Sequence, residues 1–585
     1  MTHTNTLSLT DLANCYPRTA AAFRAMNANE HLERIARLDH VWQNIRAQAA
    51  PDAPGDSYAL TSKLPPTDGE YDLIYAGGGL GLLHAAVMAR RYNCRALLFD
   101  RGEVGCAHRE WNISREELAA LVNIGLFSWD ELAEIVMNEY ERGVVRFYGG
   151  PGKQPNELWM RNVLDVALDA GALLMLARRK LEAAGGMVLD NRTFRCVHVS
   201  ADGPVRVVAE VTRADGTTEH YGARLLLDGM GSISPLALRR FGNQPFAGVC
   251  PTVGTVVTGL VEGSAPDEHN PQVGDILLSV AHAQRGQQYM WEGFPGRGDE
   301  LTVYLFYYDT LISRDMETRR QGDKEIAGAS RLPLSPSPPL PLSLMQLFED
   351  YFALLPTYKR PGLHFRHIKP VYGYIPARHS VRRQEAPFLR GVLPVGDSAA
   401  QQSPLTFCGF GSHVRNLDRT TALLHEALQH DLLAPPNLHA ISPYQVNVSL
   451  NWVFSRFMQP WRGPASVNEL QNIFLGVLND LGEDAARRFF RDQMHWGDYH
   501  RMLLGVFWRH PRIVLDAWHI LGARGVRQWI GDYAVYSGAA LLARGGHALG
   551  PAGRYAVAQL AGLISPAWRL GLLARFAEWR TMGWV

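Results

Sequence analysis

The chain has 585 residues, 46% hydrophobic and 20% charged, with 58 Lys+Arg against 57 Asp+Glu and a net charge of +1. This is the composition of a globular protein of several domains, or of one large enzyme domain with insertions, and it excludes disordered, collagen-like and coiled-coil chains. The near-zero balance also argues against nucleic acid as the main partner, because neutralising phosphates takes a clear basic excess.

The six cysteines, at 15, 94, 106, 196, 250 and 408, contain no CxxC pair. Neither a disulfide framework nor a zinc site is indicated, so no metal is expected and a reduced cytoplasmic setting fits best. Met1–Asn14 carries no Lys, no Arg and no apolar run, unlike a secretory signal. The longest uncharged stretches near the C-terminus, Tyr533–Ala543 and Tyr555–Trp568, fall short of the roughly 20 residues a membrane span needs.

Residues 1–70 read as a helix, with Leu32, Ile35, Leu38 and Val41 at helical spacing, followed by a Pro-rich linker from Ala50 to Pro66. The texture changes at 71. Tyr71–Ala76 is an apolar run that predicts a buried strand, and Gly77-Gly78-Gly79-Leu80-Gly81 predicts a tight turn. Leu82–Tyr92 predicts a helix and Ala96–Phe99 a second strand, which ends in Asp100-Arg101. Strand, glycine turn, helix, strand and acid form the opening unit of a dinucleotide-binding fold. Glycines let the backbone approach a pyrophosphate, the helix N-terminus offers it free N–H groups, and the acid accepts hydrogen bonds from ribose. The register stays open between Gly77-x-Gly79 and Gly78-x-x-Gly81.

Leu158–Ala184 reads as helical and stops at Gly185-Gly186; strands are then expected at Arg195–Val199, Arg206–Thr212 and Ala223–Leu227. Leu227-Asp-Gly-Met-Gly-Ser-Ile-Ser-Pro-Leu-Ala-Leu-Arg-Arg240 reads as a second strand–turn–helix element. Residues 250–310 predict an antiparallel sheet, dense in aromatics at Tyr289–Phe294 and Thr302–Tyr308. Residues 313–343 are polar and then Pro-rich, and are expected to form a mobile surface insertion.

Near 391 the dinucleotide texture returns. Val392–Val395 predicts a strand, followed by Gly396-Asp397, Pro404, Gly409-Phe410-Gly411 and a helix from Ser412 to about Gln429. Asp397 suits ribityl hydroxyls, and the helix start suits the flavin edge, where it favours an anionic reduced flavin. This element and the glycine turn at 77 must meet in space, and together they predict FAD. The fold class expected is therefore α/β: a Rossmann-like FAD-binding domain (71–240 and 391–450), an antiparallel-sheet substrate domain (241–390) with the Pro-rich insertion 313–343, and a mostly helical region at 451–585, preceded by the extension and linker 1–70.

The tail from Trp452 holds 9 of the 14 tryptophans, and residues 541–585 carry five Arg against one Glu. Trp, Leu and Arg interleaved in this way suit either an interfacial membrane helix or a helical lid on the FAD domain.

Four stretches carry a resemblance. Glu110-Trp-Asn-Ile-Ser-Arg-Glu-Glu-Leu118, Leu226-Leu-Asp-Gly-Met-Gly-Ser-Ile-Ser-Pro235, Gln288-Tyr-Met-Trp-Glu-Gly-Phe-Pro295 and Gly396-Asp-Ser-Ala-Ala-Gln-Gln-Ser-Pro-Leu-Thr-Phe-Cys-Gly-Phe-Gly411 resemble the CruA/CruP-type lycopene cyclase family, a branch of the FAD-dependent oxidoreductase superfamily. The likeness spans roughly 70–450. The Pro-rich insertion departs from it, and the chain after about 490 matches no catalytic element. The resemblance implies cyclisation of linear carotenoid ends into ionone rings without net redox change, with reduced FAD required, NAD(P)H as electron source and the membrane surface as the place where substrate is met. A location on the inner face of the membrane follows as an expectation.

Such chemistry needs a carboxylic acid held protonated and aromatic faces around a carbocation. Two acids lie in the aromatic sheet, Glu292 and Asp309. Glu292 shares a face with Met290 and Phe294; Asp309 shares one with Val303, Leu305 and Tyr307, opposite Tyr304, Phe306 and Tyr308. Glu292, in mid-strand, is preferred as the donor. Arg115 is a candidate cofactor contact, or else a helix-start residue after a Ser114 cap that Glu117 completes. Other functions of the same superfamily are a flavin monooxygenase, halogenase or prenyl reductase, although the halogenase signature Trp-x-Trp-x-Ile-Pro is absent. A non-cyclase carotenoid-protective paralog shares the same motifs.

Overall fold

The computed structural model describes residues 13–47, 56–107, 109–242, 246, 248–311, 343–378, 388–400, 403, 405–406, 408–442, 446–461, 466–560 and 563–581. The Pro-rich insertion expected at 313–343 lies outside them except for Ser343.

The centre of the first domain is a five-stranded parallel sheet. Its order is Met187–Leu189, Ala96–Phe99, Leu73–Ala76, Leu225–Asp228, Val392–Pro394. The three inner strands are buried at every residue. This explains their continuous apolar runs, since a parallel sheet has both faces covered. The helix Leu80–Tyr92 covers one face through Leu82, Leu83, Ala86 and Val87. From Leu73–Ala76 the chain continues to one side through Ala96–Phe99, while Leu225–Asp228 lies on the other side. This reversal opens a crevice at the carboxyl ends of the strands.

The second large sheet has seven strands, ordered Pro361–Ala377, Gly248–Leu260, Leu301–Phe306, Met290–Pro295, Val273–Leu278, Arg142–Arg146, Glu157–Met160. It is antiparallel apart from the pairing of Val273–Leu278 with Arg142–Arg146. Trp291, Val303 and Leu305 turn to one face and pack with the helix Leu344–Tyr358. There the Trp291 and Tyr358 rings stack with centroids 4.7 Å apart. Glu292, Phe294 and Tyr304 turn to the other face, as strand alternation requires.

Several local expectations are corrected. The stretch 158–184 is not one helix: the strands Glu157–Met160 and Val166–Asp169 precede the helix Ala170–Ala183. Leu158 and Val166 serve sheets, where their burial is decided by cross-strand neighbours that helical periodicity does not register. The supposed linker 50–66 contains the strand Tyr58–Thr61, which joins Arg192–Ser200 in a five-stranded sheet. The N-terminal helices Pro17–Ala25 and Glu30–Ala47 are built onto the substrate domain. The buried Asp39 accepts hydrogen bonds from the Leu344 N–H at 2.8 Å and the Tyr374 hydroxyl at 2.6 Å, and so caps the helix Leu344–Tyr358 from outside.

The chain from Val446 onward is helical among the described residues. No helix among them is long and apolar enough to cross a membrane.

Trp291 is 1% exposed between sheet and helix. Replacing it with Ala leaves a cavity in place of a stacked ring and is expected to cost about 3–5 kcal/mol. The check is the thermal unfolding temperature, which should fall clearly for Trp291→Ala and much less for Trp291→Phe.

Candidate active site

The crevice at the strand ends is shaped by backbone proximity. Gly77 has φ +106°, and a β-carbon there would lie 2.4 Å from the Gly229 carbonyl oxygen. At Gly78 a β-carbon would press on Val104 at 3.1 Å, and its N–H donates to Asp100 Oδ2 at 2.7 Å. The other Asp100 oxygen accepts from the Gly102 N–H at 3.2 Å. Around Gly79 the space is open: a β-carbon would meet nothing within 4 Å. Gly79 also starts the helix Leu80–Tyr92 with no side-chain cap, which leaves the first-turn N–H groups available to a ligand. Gly81 lies buried against Tyr75 and Gly229, and Arg101 is exposed.

The second glycine element meets the first. Gly396 has φ +65°, and a β-carbon there would lie 3.1 Å from Leu80 Cδ1. Beneath the contact, His84 and His413 are buried and held neutral, their pKa lowered by burial to about 3 and about 4. The helix Gly409–Gln429 begins without a side-chain cap. Gly411 is seated on the carboxylate of Glu117, and Glu117 is paired with Arg415.

Both elements open on one cavity of about 450 Å³. Gly79, Leu80, Asp397, Gly409 and Phe410 form one side; Glu292, Phe294 and Tyr304 of the aromatic sheet form another. Arg109, Glu110, Trp111 and Asn112 enter from the strand Glu110–Ile113 and its start. The Trp111 and Phe410 rings lie 4.8 Å apart.

The cavity's charges are arranged around Arg109. Glu292 lines the cavity yet lies deep in the protein. Burial, reinforced by the nearby Glu110 charge and partly offset by Arg109, raises its carboxyl to about 8. Asp397 is likewise raised by burial and partly lowered by Arg109. Its carboxylate receives no hydrogen bond from the described residues, so its lone pairs are free for ligand hydroxyls. Glu110 is fixed from the sheet: Tyr304 O–H donates to Oε1 at 2.7 Å and Thr302 O–H to Oε2 at 3.0 Å. Tyr304 stands directly opposite Glu292 in the strand pair, which puts the two carboxyls on one face.

Two expected site residues lie elsewhere. Asp309 pairs with Arg46 at 3.3 Å, beyond the end of its strand and away from the cavity lining. Its position in the alternation puts it on the opposite face from Tyr304, toward the N-terminal helices. Arg115 is also outside the cavity. Ser114 and Glu117 form a complete capping box, and Arg115 turns outward to Glu139 and lies over the Trp129 ring. Arg109 brings a guanidinium to the cavity instead. Pro404 lies outside the described residues. Glu110 and Arg109 were not expected as site residues. Their only sequence signal was that Glu110 opens one of the motif stretches.

The donor set suits FAD. An open space at Gly79, a carboxylate beside the glycine turn, unpartnered acceptors at Asp397 and an uncapped helix start at Gly409 supply what a pyrophosphate, a ribose, a ribityl chain and a flavin edge each need.

No protein-family model matches the chain, and no curated protein matches it either. Among solved structures, it is similar to a geranylgeranyl bacteriochlorophyll reductase-like protein from Thermoplasma acidophilum, with a TM-score of 0.52 and 15% identity over 77% of this chain and 98% of that one. Weaker likenesses include the halogenase PltM in complex with FAD (TM-score 0.47, 12% identity, 80% and 96% of the two chains) and aklavinone-11 hydroxylase with FAD and aklavinone (TM-score 0.46, 15% identity, 68% and 69%). The fold is thus a mixed α/β, Rossmann-type one, with a helical C-terminal region. The cyclase family rests on the sequence motifs alone.

The raised Glu292 carboxyl has a consequence for stability. Between its ordinary value of 4.5 and about 8 the folded protein keeps a proton that the unfolded chain has lost. Stability from this group therefore falls as pH rises through that window. Glu292→Gln is neutral throughout and should flatten the fall. Unfolding temperatures of the two proteins across that window test this, because Asp165, Asp228 and Asp492, each raised to about 6, titrate equally in both.

Proposed function

We propose that the chain is a FAD-dependent enzyme that closes linear carotenoid ends into ionone rings by proton donation from Glu292. The observation that carries this reading is a carboxyl held protonated near neutral pH inside the cavity that both glycine elements border. Alkene protonation needs such an acid, and burial keeps it neutral and protonated by disfavouring the carboxylate.

In this reading Gly77, Gly78, Gly79, Gly81 and Asp100 hold the adenosine and pyrophosphate half. Asp397 would take the ribityl hydroxyls, and the uncapped N–H groups at Gly409, Phe410 and Gly411 would hold the flavin. The chemistry that bound FAD would supply, once reduced with NAD(P)H as electron source, is negative charge in the cavity. Glu292 gives its proton to a terminal double bond. The carboxylate left behind faces Arg109, whose charge compensates it. Phe294, Tyr304, Trp111 and Phe410 put aromatic faces around the carbon that becomes positive. A neighbouring alkene attacks that carbon, a proton leaves the new ring and returns to the carboxylate, and the substrate formula is unchanged. Glu110 has a positioning role: held by Tyr304 and Thr302, it adds to the burial that raises the Glu292 carboxyl.

A second reading, reduction of a prenyl double bond, is supported by the likeness to the geranylgeranyl bacteriochlorophyll reductase-like protein. It needs the same proton donor but leaves a different product, because reduction adds two hydrogens per double bond while cyclisation adds none.

Expression in a lycopene-accumulating bacterium separates the readings. An isomer of unchanged mass with shifted chromatography is expected; a gain of two hydrogens supports reduction, and unaltered lycopene removes the cyclase reading. General acid catalysis is worth about 10²–10⁴-fold. Glu292→Gln should lower turnover by that order and keep FAD, while Asp309→Asn should remain active. Asp397→Ala should weaken FAD uptake, measured by flavin fluorescence on titration.

A further inference from the structure

The helices from Trp496 to Thr581 are not all covered. Most of the large apolar side chains exposed among the described residues fall between Leu504 and Leu572. Leu504, Phe507 and Trp508 lie on one face at the end of the helix Trp496–Arg509. Val514, Leu515 and Trp518 begin the next helix, Ile513–Gln559, which bends at Gly522 where φ is 65° and ψ 172°. Beyond the bend, Ile530, Val535, Leu541 and Leu542 continue along the outer side, while Asp532, Tyr536, Ala540 and Ala543 form the buried side. Monomeric surfaces rarely leave so many adjacent aromatic and aliphatic groups in water.

Charge says what this face is built for. Residues 501–581 contain ten Arg, no Lys and three acids, Asp516, Asp532 and Glu578. All three acids are buried, at 3%, 1% and 4% exposure. Arg512, Arg524 and Arg527 are exposed and make no ion pair among the described residues. Arg501, Arg509, Arg569 and Arg575 are paired with Asp498, Asp480, Glu426 and Glu578, whereas Arg512, Arg524 and Arg527 are left outside among Phe507, Trp508, Leu515 and Trp518 while the nearby acids Asp516 and Asp532 lie inside. A face covered by a second copy of itself would set arginine against arginine. A protein partner would have to supply matching acids among apolar groups; an anionic bilayer supplies phosphate at the surface and acyl chain just beneath it.

The geometry points to an interfacial docking face for anionic lipid, formed by the bend between the helices Trp496–Arg509 and Ile513–Gln559 and continued along the second. Arg512, Arg524 and Arg527 take the headgroup phosphates, and Phe507, Trp508 and Trp518 sit at the acyl boundary. The bend from Leu504 to Ile530 lies upstream of the segment 541–585 that charge and tryptophan content alone single out, and it requires neither FAD nor the proposed reaction.

The test uses the full chain and vesicles of phosphatidylcholine with or without 30 mol% phosphatidylserine (roughly the anionic fraction of a strongly charged leaflet). Co-sedimentation with the anionic vesicles is expected, and weaker binding to neutral ones. Each arginine near an anionic surface is worth about fivefold, so R512A/R524A/R527A should lower affinity about a hundredfold. Trp508→Ala with Trp518→Ala should abolish quenching of tryptophan fluorescence by brominated lipid, with the helical circular dichroism unchanged. Failure of the full chain to bind the anionic vesicles, or equal binding by the variants, overturns the proposal. So does a stable dimer in light scattering that W508A/W518A dissociates, because a second copy then covers the face.

Discussion

A β-carbon at Gly77 would sit 2.4 Å from the carbonyl oxygen of Gly229, a distance no L side chain tolerates. The ends of two neighbouring parallel strands can close up there only because residue 77 is glycine; at Gly229 a β-carbon would be tight, 3.2 Å from the Ala76 carbonyl oxygen. That approach places the start of the helix Leu80–Tyr92 at the mouth of the crevice and brings Gly78 to Asp100. It also leaves room for Leu80 to meet Gly396 from the distant second element. Any side chain at Gly77 would push these parts away from one another, and the cavity between them would lose one wall.

The opposite wall obeys a different constraint. The aromatic sheet must bury one face under the helix Leu344–Tyr358, and the stacked Trp291 and Tyr358 rings hold that side. Alternation then commits Glu292, Phe294, Thr302 and Tyr304 to the cavity side. A carboxyl in such a place is costly when charged, and Glu292 answers by holding its proton. Glu110 is buried too, but it accepts two hydroxyl hydrogen bonds. The two acids share one cavity and differ in what surrounds them: Glu110 is held by two hydroxyls, and Glu292 has burial and the Glu110 charge against it.

The helical region has its own division of charge. Asp516 accepts from His510 at 2.7 Å and is buried with the helix interface. The exposed arginines beside it keep no such partners. The same helix therefore turns its acids toward the protein and Arg524 and Arg527 toward the outside.

Local order was legible along the chain. The strand, glycine turn, helix and acid from 73 to 100 form a contiguous unit whose residues act on their near neighbours, so spacing alone defined it. The alternation in Met290–Pro295 and Leu301–Phe306 was legible for the same reason, because a strand's period of two is a local property. The wall of the cavity that each face supplies was not, because it depends on where a helix 50 residues downstream packs. For Arg115 the capping box of Ser114 and Glu117 was legible as one of two readings, because it is local, but its choice over a cofactor contact was not, since it depends on Glu139 and Trp129 lying outside the cavity. Glu110 meets Thr302 and Tyr304 across 192 and 194 residues. No periodicity reports such a contact, since only the folded backbone brings the two strands to one cavity, and tertiary structure alone therefore decided that Glu110 lies beside Glu292 and that burial raises the Glu292 carboxyl.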